Sequence, residues 1–198
     1  MIQTKTIDGV LLRDMVVTGA ALLEKNREAV DALNVFPVPD GDTGTNMSLT
    51  MASATKEVNQ KEYLSAGEAA AALAKGALRG ARGNSGVITS QLYRGFARAL
   101  EGIERITPVQ FAQALKRGAE TAYKAVMKPK EGTILTVSRL AAARAAQAAQ
   151  ENPSAEYVLE QAILAGQETL AQTIDMNPVL KKAGVVDAGG KGLSLIHI

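Results

Sequence analysis

Two aspartates separated by one glycine are the residues in this sequence best placed to do chemistry. Asp40 and Asp42 flank Gly41 within the stretch NVFPVPDGDTGTNM, residues 34–47. Glycine permits a sharp turn, so both carboxylates can face one cation, and the two prolines stiffen the approach. Oxygen ligands suit Mg²⁺ or Ca²⁺ rather than zinc. The stretch therefore predicts a site for a hard divalent cation.

Of these two cations, Mg²⁺ fits the spacing better. Counted from Asp40, an EF-hand needs an oxygen ligand at its fifth position and Glu at its twelfth, where this chain has Gly44 and Met51. Mg²⁺ takes one or two carboxylates and completes its shell with water and substrate phosphates. Asn34 is a candidate for a third oxygen ligand.

The residues after the aspartates are typical of a phosphate site. Thr43, Gly44, Thr45 and Asn46 supply hydroxyls, a side-chain amide and backbone N–H groups at a predicted helix start near Asn46. The N-terminus of a helix attracts anions. A polyphosphate cradle is one interpretation. An ordinary capped turn is the other, because Asp-Gly and Thr-Gly pairs are common in turns.

A second glycine-rich loop, 80–86, precedes a predicted helix. Asn84, Ser85 and Gly86 could cap that helix or bind phosphate, and a close helix–helix contact explains the glycines equally well. Arg79 and Arg82 are secondary candidates for neutralising phosphate charge.

Two further loops carry polar residues, at 128–133 and 187–192. Gly132 and Thr133 could offer a backbone N–H and a hydroxyl, although a helix cap is the simpler interpretation. Asp187, Ala188 and Gly189 open a run that resembles a Walker A loop only superficially, because no glycine lies five residues before Gly190.

Helical periodicity dominates the elements that must position these loops, and period-two runs of β-branched residues are absent. The sequence predicts an all-α fold of about eight helices. Their expected extents are 8–33, 46–58, 66–79, 85–100, 108–127, 133–150, 154–174 and 178–183, with caps at Asp8 and Thr107 and a stop at Gly184.

Composition excludes several classes of function. The net charge is +2, aromatic residues are 4% and Trp is absent, which argues against a nucleic-acid binder. Cysteine is absent, so neither disulfides nor Cys-based metal sites can form. The N-terminus does not resemble a signal peptide, and no apolar run approaches the ~18 residues of a membrane span. We expect a cytoplasmic protein.

The last six residues, LSLIHI, are unlike the rest. They equal the translation of a transposase adaptor used in sequencing libraries, so we predict one domain over 1–192, an adaptor-derived segment over 193–198, and missing C-terminal domains. The single histidine, His197, falls in this segment. We assign it no function.

Four motifs in this order resemble a known family: NVFPVPDGDTGTNM, GARGNSGVI, PKEGTILTV and VVDAGGKG. They are similar to the nucleotide-binding (DhaL-like) domain of the ATP-binding subunit of bacterial fatty acid kinase, itself related to the ADP-binding subunit of dihydroxyacetone kinase. The resemblance covers residues 1–192. It implies an antiparallel barrel of about eight helices with the nucleotide held by loops at one end.

The resemblance also implies roles for individual residues. Asp40 and Asp42 would hold a pair of Mg²⁺ ions that bind the phosphates of ATP or ADP, and Asn34 lies one position from where dihydroxyacetone kinases have a third metal-binding aspartate. Residues 43–46 would contact phosphates, residues 84–86 and Gly132 would line the pocket, and residues 187–189 would close it.

The implied activity is phosphorylation of a fatty acid to an acyl phosphate, with the acid presented by a carrier protein engaged through the missing domains. The longer protein could form a homodimer. Two alternatives stay open: a dihydroxyacetone-kinase-type subunit with a small hydroxyketone as acceptor, and a non-enzymatic helical interaction domain.

Overall fold

A computed structural model of the chain describes residues 5–196, and this part is all-α. Within it there are ten helices and no strand; one isolated antiparallel bridge joins Ile7 to Ile106. The all-α prediction is confirmed. The predicted number of about eight helices is two too low, because the first expected helix is divided in two and a further helix occupies 188–196. The helices are Gly9–Lys25 (α1), Arg27–Asp31 (α2), Thr43–Val58 (α3), Ala66–Gly80 (α4), Gly83–Ala99 (α5), Pro108–Ala125 (α6), Ile134–Glu151 (α7), Ala155–Met176 (α8), Pro178–Ala183 (α9) and Ala188–Ile196 (α10).

Helix ends follow the caps that the sequence predicts. Asp8 precedes α1 and accepts a hydrogen bond from the amide of Leu11 at 3.0 Å. Thr107 and Gln110 form a capping box before α6, which has proline at its first position. Gly184 ends α9 with a φ of 69°, in the left-handed region. These three predictions are confirmed.

The structure corrects three predicted boundaries. The expected helix 8–33 is two helices, because the chain turns at Asn26, whose side-chain amide donates to the carbonyl of Leu22 at 2.8 Å. The helix expected from Asn46 begins at Thr43. The expected loop 187–192 is mostly helical, since α10 begins at Ala188.

The N-termini of α3, α5, α7 and α10 lie together at one end of the molecule, which we call the site end. The hydroxyl of Ser85 in α5 lies 3.5 Å from the carbonyl of Thr43 in α3. The carboxylate of Asp187, before α10, is hydrogen-bonded to the backbone of Ile134, the first residue of α7. Gly192 of α10 packs on the thioether of Met47.

The N-termini of α1, α4 and α6 lie at the opposite end. The amide of Ile7 donates to the carbonyl of Ile106 at 2.9 Å, and the amide of Gly67 donates to the carbonyl of Ile103 at 2.8 Å. The long helices therefore alternate in direction, and the loops at 32–42, 81–82 and 126–133 meet at the site end.

The core contains aliphatic and thioether side chains that are fully buried, including Leu23, Met47, Met51, Leu73, Leu100 and Leu135. The helices also enclose a cavity of about 460 Å³ lined largely by apolar side chains of α1, α5, α6, α7, α8 and α10. No residue predicted to bind metal or nucleotide lines it. Among residues 5–196, no helix is long and apolar enough to cross a bilayer.

Residues 193–196, the described part of the segment predicted to derive from an adaptor, belong to α10. Leu193, Leu195 and Ile196 are buried, and Gly19 of α1 packs on the backbone of Ile196. The origin of this segment stays a prediction. His197 lies outside the described residues.

Candidate functional site

Asn34 organises the acidic loop. Its side chain is 7% exposed. Its Oδ1 accepts hydrogen bonds from the amides of Asp42 and Thr43, both at 3.2 Å, and from the hydroxyl of Thr43 at 2.8 Å. Its Nδ2 donates to the carbonyl of Val38 at 2.8 Å. With three bonds accepted, this oxygen caps α3, and the geometry gives no support to its predicted role as a third metal ligand.

Asp40 and Asp42, by contrast, carry carboxylates without a hydrogen bond or ion pair to any residue in the 5–196 range. Asp40 is exposed and Asp42 half-buried, and Gly41 between them has a φ of 66°. Two carboxylates separated by one residue, with no cation bonded to them among residues 5–196, are a fitting donor set for Mg²⁺. No group of three or more His, Cys, Asp and Glu suited to a metal occurs in the described part of the chain. Other ligands would have to come from water or substrate.

The first turn of α3 offers fewer free donors than the sequence suggests. Asp31 accepts a hydrogen bond from the amide of Thr45 at 2.9 Å and another from its hydroxyl at 2.7 Å. The amides of Thr43 and Asn46 bond to the side chain of Asn34 and to the carbonyl of Asp42. The expectation of several free N–H groups over 43–46 is therefore wrong, because side chains of the preceding segment cap the helix.

The second loop is shorter than expected. Only residues 81–82 separate α4 from α5, so Asn84, Ser85 and Gly86 lie in the first turn of α5. The side-chain amide of Asn46 lies against Gly83. The structure thus brings 84–86 together with 43–46, as a shared phosphate site requires.

The two candidate arginines differ in environment. Arg79 pairs with buried Glu57 at 3.1 Å, and Glu57 also pairs with Lys75 at 2.5 Å. Arg82 is exposed and has no hydrogen bond or ion pair within the described residues. Arg82 is therefore the freer cation at the site end.

The third loop is held by its own side chains. Thr133 caps α7 by accepting from the amide of Leu135 at 3.4 Å, which confirms the cap interpretation. Gly132, with a φ of 74°, donates its amide to the hydroxyl of Thr136 at 2.9 Å. Thr136 in turn donates to Glu131 at 2.8 Å. The N–H of Gly132, predicted to be available to a ligand, is engaged.

Glu131 collects further partners from α6 and α7. Tyr123 donates its phenolic hydroxyl to one carboxylate oxygen at 3.0 Å, and Arg139 donates to the other at 2.8 Å. Partial burial favours the neutral acid, but the hydrogen bonds from Thr136, Arg139 and Tyr123 prevail and hold the pKa of Glu131 below its ordinary value.

Asp187 is a structural link between helices. It is 5% exposed, its Oδ2 accepts from the amide of Gly190 at 2.7 Å, and its own amide donates to the hydroxyl of Thr173 in α8 at 3.1 Å. Burial raises the pKa of the Asp187 carboxyl to about 6, against the opposing hydrogen bonds from the backbones of Gly190 and Ile134. Ala188 and Gly189 are buried in the first turn of α10, where Gly189 packs against Ile134.

The predicted residues thus form two groups at the site end. Residues 40–46 and 84–86 adjoin each other at α3 and α5, whereas residues 132–133 and 187–189 adjoin each other at α7 and α10. Met47 and Gly192 join α3 to α10. Four helix N-termini directed to one end create a region of positive potential that favours an anion.

Sequence reasoning missed Asp31, Glu131 and Thr136. Asp31 lies 14 residues before Thr45, and no local pattern links the two. Glu131 and Thr136 stand in the motif PKEGTILTV, where an acid two residues before a capping threonine is the only available signal.

Comparison with known proteins identifies the family of this chain. The DAK2 domain family matches residues 37–197. The chain belongs to this family. An uncharacterised protein of Staphylococcus saprophyticus is 51% identical over 195 residues, covering 96% of this chain and 35% of that protein. Protein YloV of Bacillus subtilis is 49% identical over 193 residues, covering 98% of this chain and 35% of that protein.

The chain therefore spans about a third of the length of these relatives. Among solved structures, the dihydroxyacetone kinase of C. freundii in its native form is similar with a TM-score of 0.64. The similarity covers 95% of this chain and 33% of that one at 19% sequence identity. It shows that the DAK2 domain described here has the fold of one part of that kinase.

Proposed function

We propose that this DAK2 domain binds ATP or ADP with Mg²⁺ at the site end and serves phosphoryl transfer to a fatty acid held by a carrier protein, giving an acyl phosphate. Family membership and the fold shared with a dihydroxyacetone kinase support the coarser part, a nucleotide-binding domain of a kinase. The fatty acid acceptor rests on the resemblance of the four motifs.

One observation carries the proposal. Beside the N-termini of α3 and α5, Asp40 and Asp42 present carboxylates without a hydrogen bond or ion pair to any of residues 5–196. A carboxylate just before a helix ordinarily caps that helix by accepting a hydrogen bond from one of its first amides. Here Asn34 and Asp31 do the capping, which leaves Asp40 and Asp42 for a cation.

The chain's own residues would mainly bind and align. Asp40 and Asp42 would hold the metal, the positive ends of α3 and α5 would attract the phosphates, and Arg82 would add a cation. When bound, Mg²⁺ neutralises phosphate charge and stabilises the transferring group. A carboxylate acceptor is ionised at neutral pH, so the domain needs no strong general base.

A dihydroxyacetone-kinase-type acceptor is the second candidate, favoured by the fold match. Both candidates require the same nucleotide site. In a protein as long as these relatives, domains beyond this one would bring the acceptor and the carrier to the nucleotide site. A homodimer could also form through those domains. A cytoplasmic location stays a prediction.

Thermal unfolding with and without millimolar Mg-ATP tests the proposal. A ligand that binds the folded state raises its stability by RT ln(1 + [L]/Kd), so Mg-ATP should raise Tm and EDTA should remove the shift. The double variant Asp40→Asn with Asp42→Asn should lose the shift while keeping the Tm of the free protein, because neither carboxylate has a hydrogen bond or ion pair to lose within the described part of the chain.

Asp14→Asn with Asp175→Asn is the matched control, since both aspartates are exposed and lie outside the site. This variant should keep the full shift. An unchanged melting curve for the wild-type protein in Mg-ATP would favour the non-enzymatic interaction domain and reject the nucleotide site.

A further inference from the structure

Asp31 at the end of α2 bonds both donors of Thr45. Its Oδ1 accepts the amide hydrogen at 2.9 Å and its Oδ2 accepts the hydroxyl hydrogen at 2.7 Å. These bonds cross 14 residues of sequence, and they fix the first turn of α3 at the place where a phosphate is expected.

The direction of the hydrogen bond made by the Thr45 hydroxyl determines what this side chain can bind. A hydroxyl has one hydrogen to donate, and a phosphate oxygen needs a donor. The hydrogen of Thr45 is committed to Asp31, and that of Thr43 is committed to Asn34. Towards a ligand, both threonines present lone pairs, which repel phosphate oxygens.

Asp31 also reduces the attraction of the helix terminus for anions. A carboxylate at the N-terminus offsets the partial positive charge there. Together with Asp40 and Asp42 it places three carboxylates in the sequence that frames the start of α3. A bare polyphosphate would meet repulsion, whereas a polyphosphate carrying a divalent cation would not.

We propose that Asp31 is a positioning and specificity-determining residue: by holding the Thr45 hydroxyl and offsetting the positive charge of the α3 terminus, it makes the site favour nucleotide as the metal complex over the free nucleotide. This inference rests on the proposed nucleotide function and concerns a residue whose two side-chain hydrogen bonds both go to Thr45. It predicts that the metal requirement of binding is set partly by the protein's own capping carboxylate.

Calorimetric titration of ADP in Mg²⁺ and in EDTA, at equal ionic strength, tests the inference. Asp31→Asn reverses the bond, because the new Nδ2 donates to the Thr45 oxygen and releases the hydroxyl hydrogen. The ratio of the Kd in EDTA to the Kd in Mg²⁺ should be on the order of 100 for the wild type and should fall about tenfold in Asp31→Asn.

Glu28→Gln is the matched control. Glu28 lies in the same short helix, its side chain is 93% exposed, and its contact with Arg27 is long, at 3.9 Å. Like Asp31→Asn, the Glu28→Gln substitution removes one negative charge, but it leaves the hydrogen bonds of Thr45 in place. The ratio of the Kd in EDTA to the Kd in Mg²⁺ should therefore stay at the wild-type value. Circular dichroism checks that each variant is folded, and Asp31→Ser, which keeps an acceptor for the Thr45 amide, is titrated in parallel.

The outcomes separate the two proposals. Absence of ADP binding by the wild type even in Mg²⁺ rejects the nucleotide function and this inference with it. Binding in Mg²⁺ with an equal Kd in EDTA leaves the function standing and overturns the inference. An unchanged ratio in Asp31→Asn and Asp31→Ser, or an equal fall in Glu28→Gln, also overturns it.

Discussion

Two aspartate environments at the site end differ in almost every respect. Asp40 and Asp42 lie on a loop, reach solvent and bind no other residue of the described chain. Asp187 is buried and bonded to the backbones of Gly190 and Ile134, and Thr173 holds its amide. The oxygens of Asp40 and Asp42 are therefore available to a ligand, whereas the carboxylate of Asp187 already accepts hydrogen bonds that hold two helix termini together.

The difference separates binding from support within one cluster of motifs. A carboxylate whose oxygens already accept backbone hydrogen bonds has less to offer a cation than one without partners. Asn34 belongs with Asp187 in this respect, because its oxygen accepts three hydrogen bonds. Both supporting residues are buried, and both binding candidates reach solvent.

Loss of the Asn34 cap should have the largest effect. Asn34→Ala leaves the amide and the hydroxyl of buried Thr43 without their acceptor and removes the bond to the carbonyl of Val38, which should lower the free energy of unfolding by roughly 2–4 kcal/mol. Urea denaturation followed by circular dichroism measures this. Asn177→Ala is the control: Asn177 is equally buried but caps α9 with one bond, to the amide of Val179, so its loss should cost about 1 kcal/mol. Equal losses would contradict the supporting role of Asn34.

The contribution of Asp187 to the free energy of unfolding should depend on pH. Its folded pKa of about 6 lies above the ordinary 3.8, so the folded state binds the proton more tightly than the unfolded state does. The stabilising contribution of this group is therefore present below about pH 4 and is lost as pH rises through 6. Relative to Asp187→Asn, the wild type should lose about 2 kcal/mol of unfolding free energy between pH 4.5 and 7.5.

Denaturation of both proteins at the two pH values measures the difference. A pH-independent difference for Asp187→Asn would mean that Asp187 is solvated rather than buried.

Much of this arrangement could be predicted from sequence, and the exceptions have two causes. Caps at Asp8, Thr107 and Thr133 are local signals read within a few residues, and they are confirmed. The Asp31–Thr45 pair joins residues 14 positions apart, and only the tertiary fold reveals it.

The prediction of a loop at 187–192 was wrong for a different reason. Its glycines indicate a loop by propensity, but Asp187 caps a helix whose small residues pack against Ile134 and Met47. Tertiary packing overrides the cost of glycine in that helix.

Glu131 is intermediate between the exposed aspartates and buried Asp187. Its side chain is half exposed, and both of its carboxylate oxygens accept hydrogen bonds. Glu131→Gln removes the ion pair with Arg139 and an acceptor for Thr136, so the Gly132 amide should exchange hydrogen faster while unfolding free energy changes by less than about 1 kcal/mol. Hydrogen exchange resolved at Gly132 measures it. Glu151→Gln removes a similar Arg–Tyr-bonded glutamate at the opposite end and should leave Gly132 unchanged.

The smallest expected effect on stability belongs to Arg82. Arg82→Ala removes no side-chain hydrogen bond or ion pair among the described residues, so unfolding free energy should change by less than about 0.5 kcal/mol. If phosphates bind beside Asp40 and Asp42, the same change should weaken Mg-ADP binding by roughly threefold to tenfold at low salt and by less at high salt, because exposed charges are screened. Arg98→Ala removes an exposed arginine from the last turn of the same helix, at the opposite end. Equal losses of affinity in the two variants would point to net charge alone, whereas a loss confined to Arg82→Ala would locate the phosphates at the end of the molecule where the unpartnered aspartates lie.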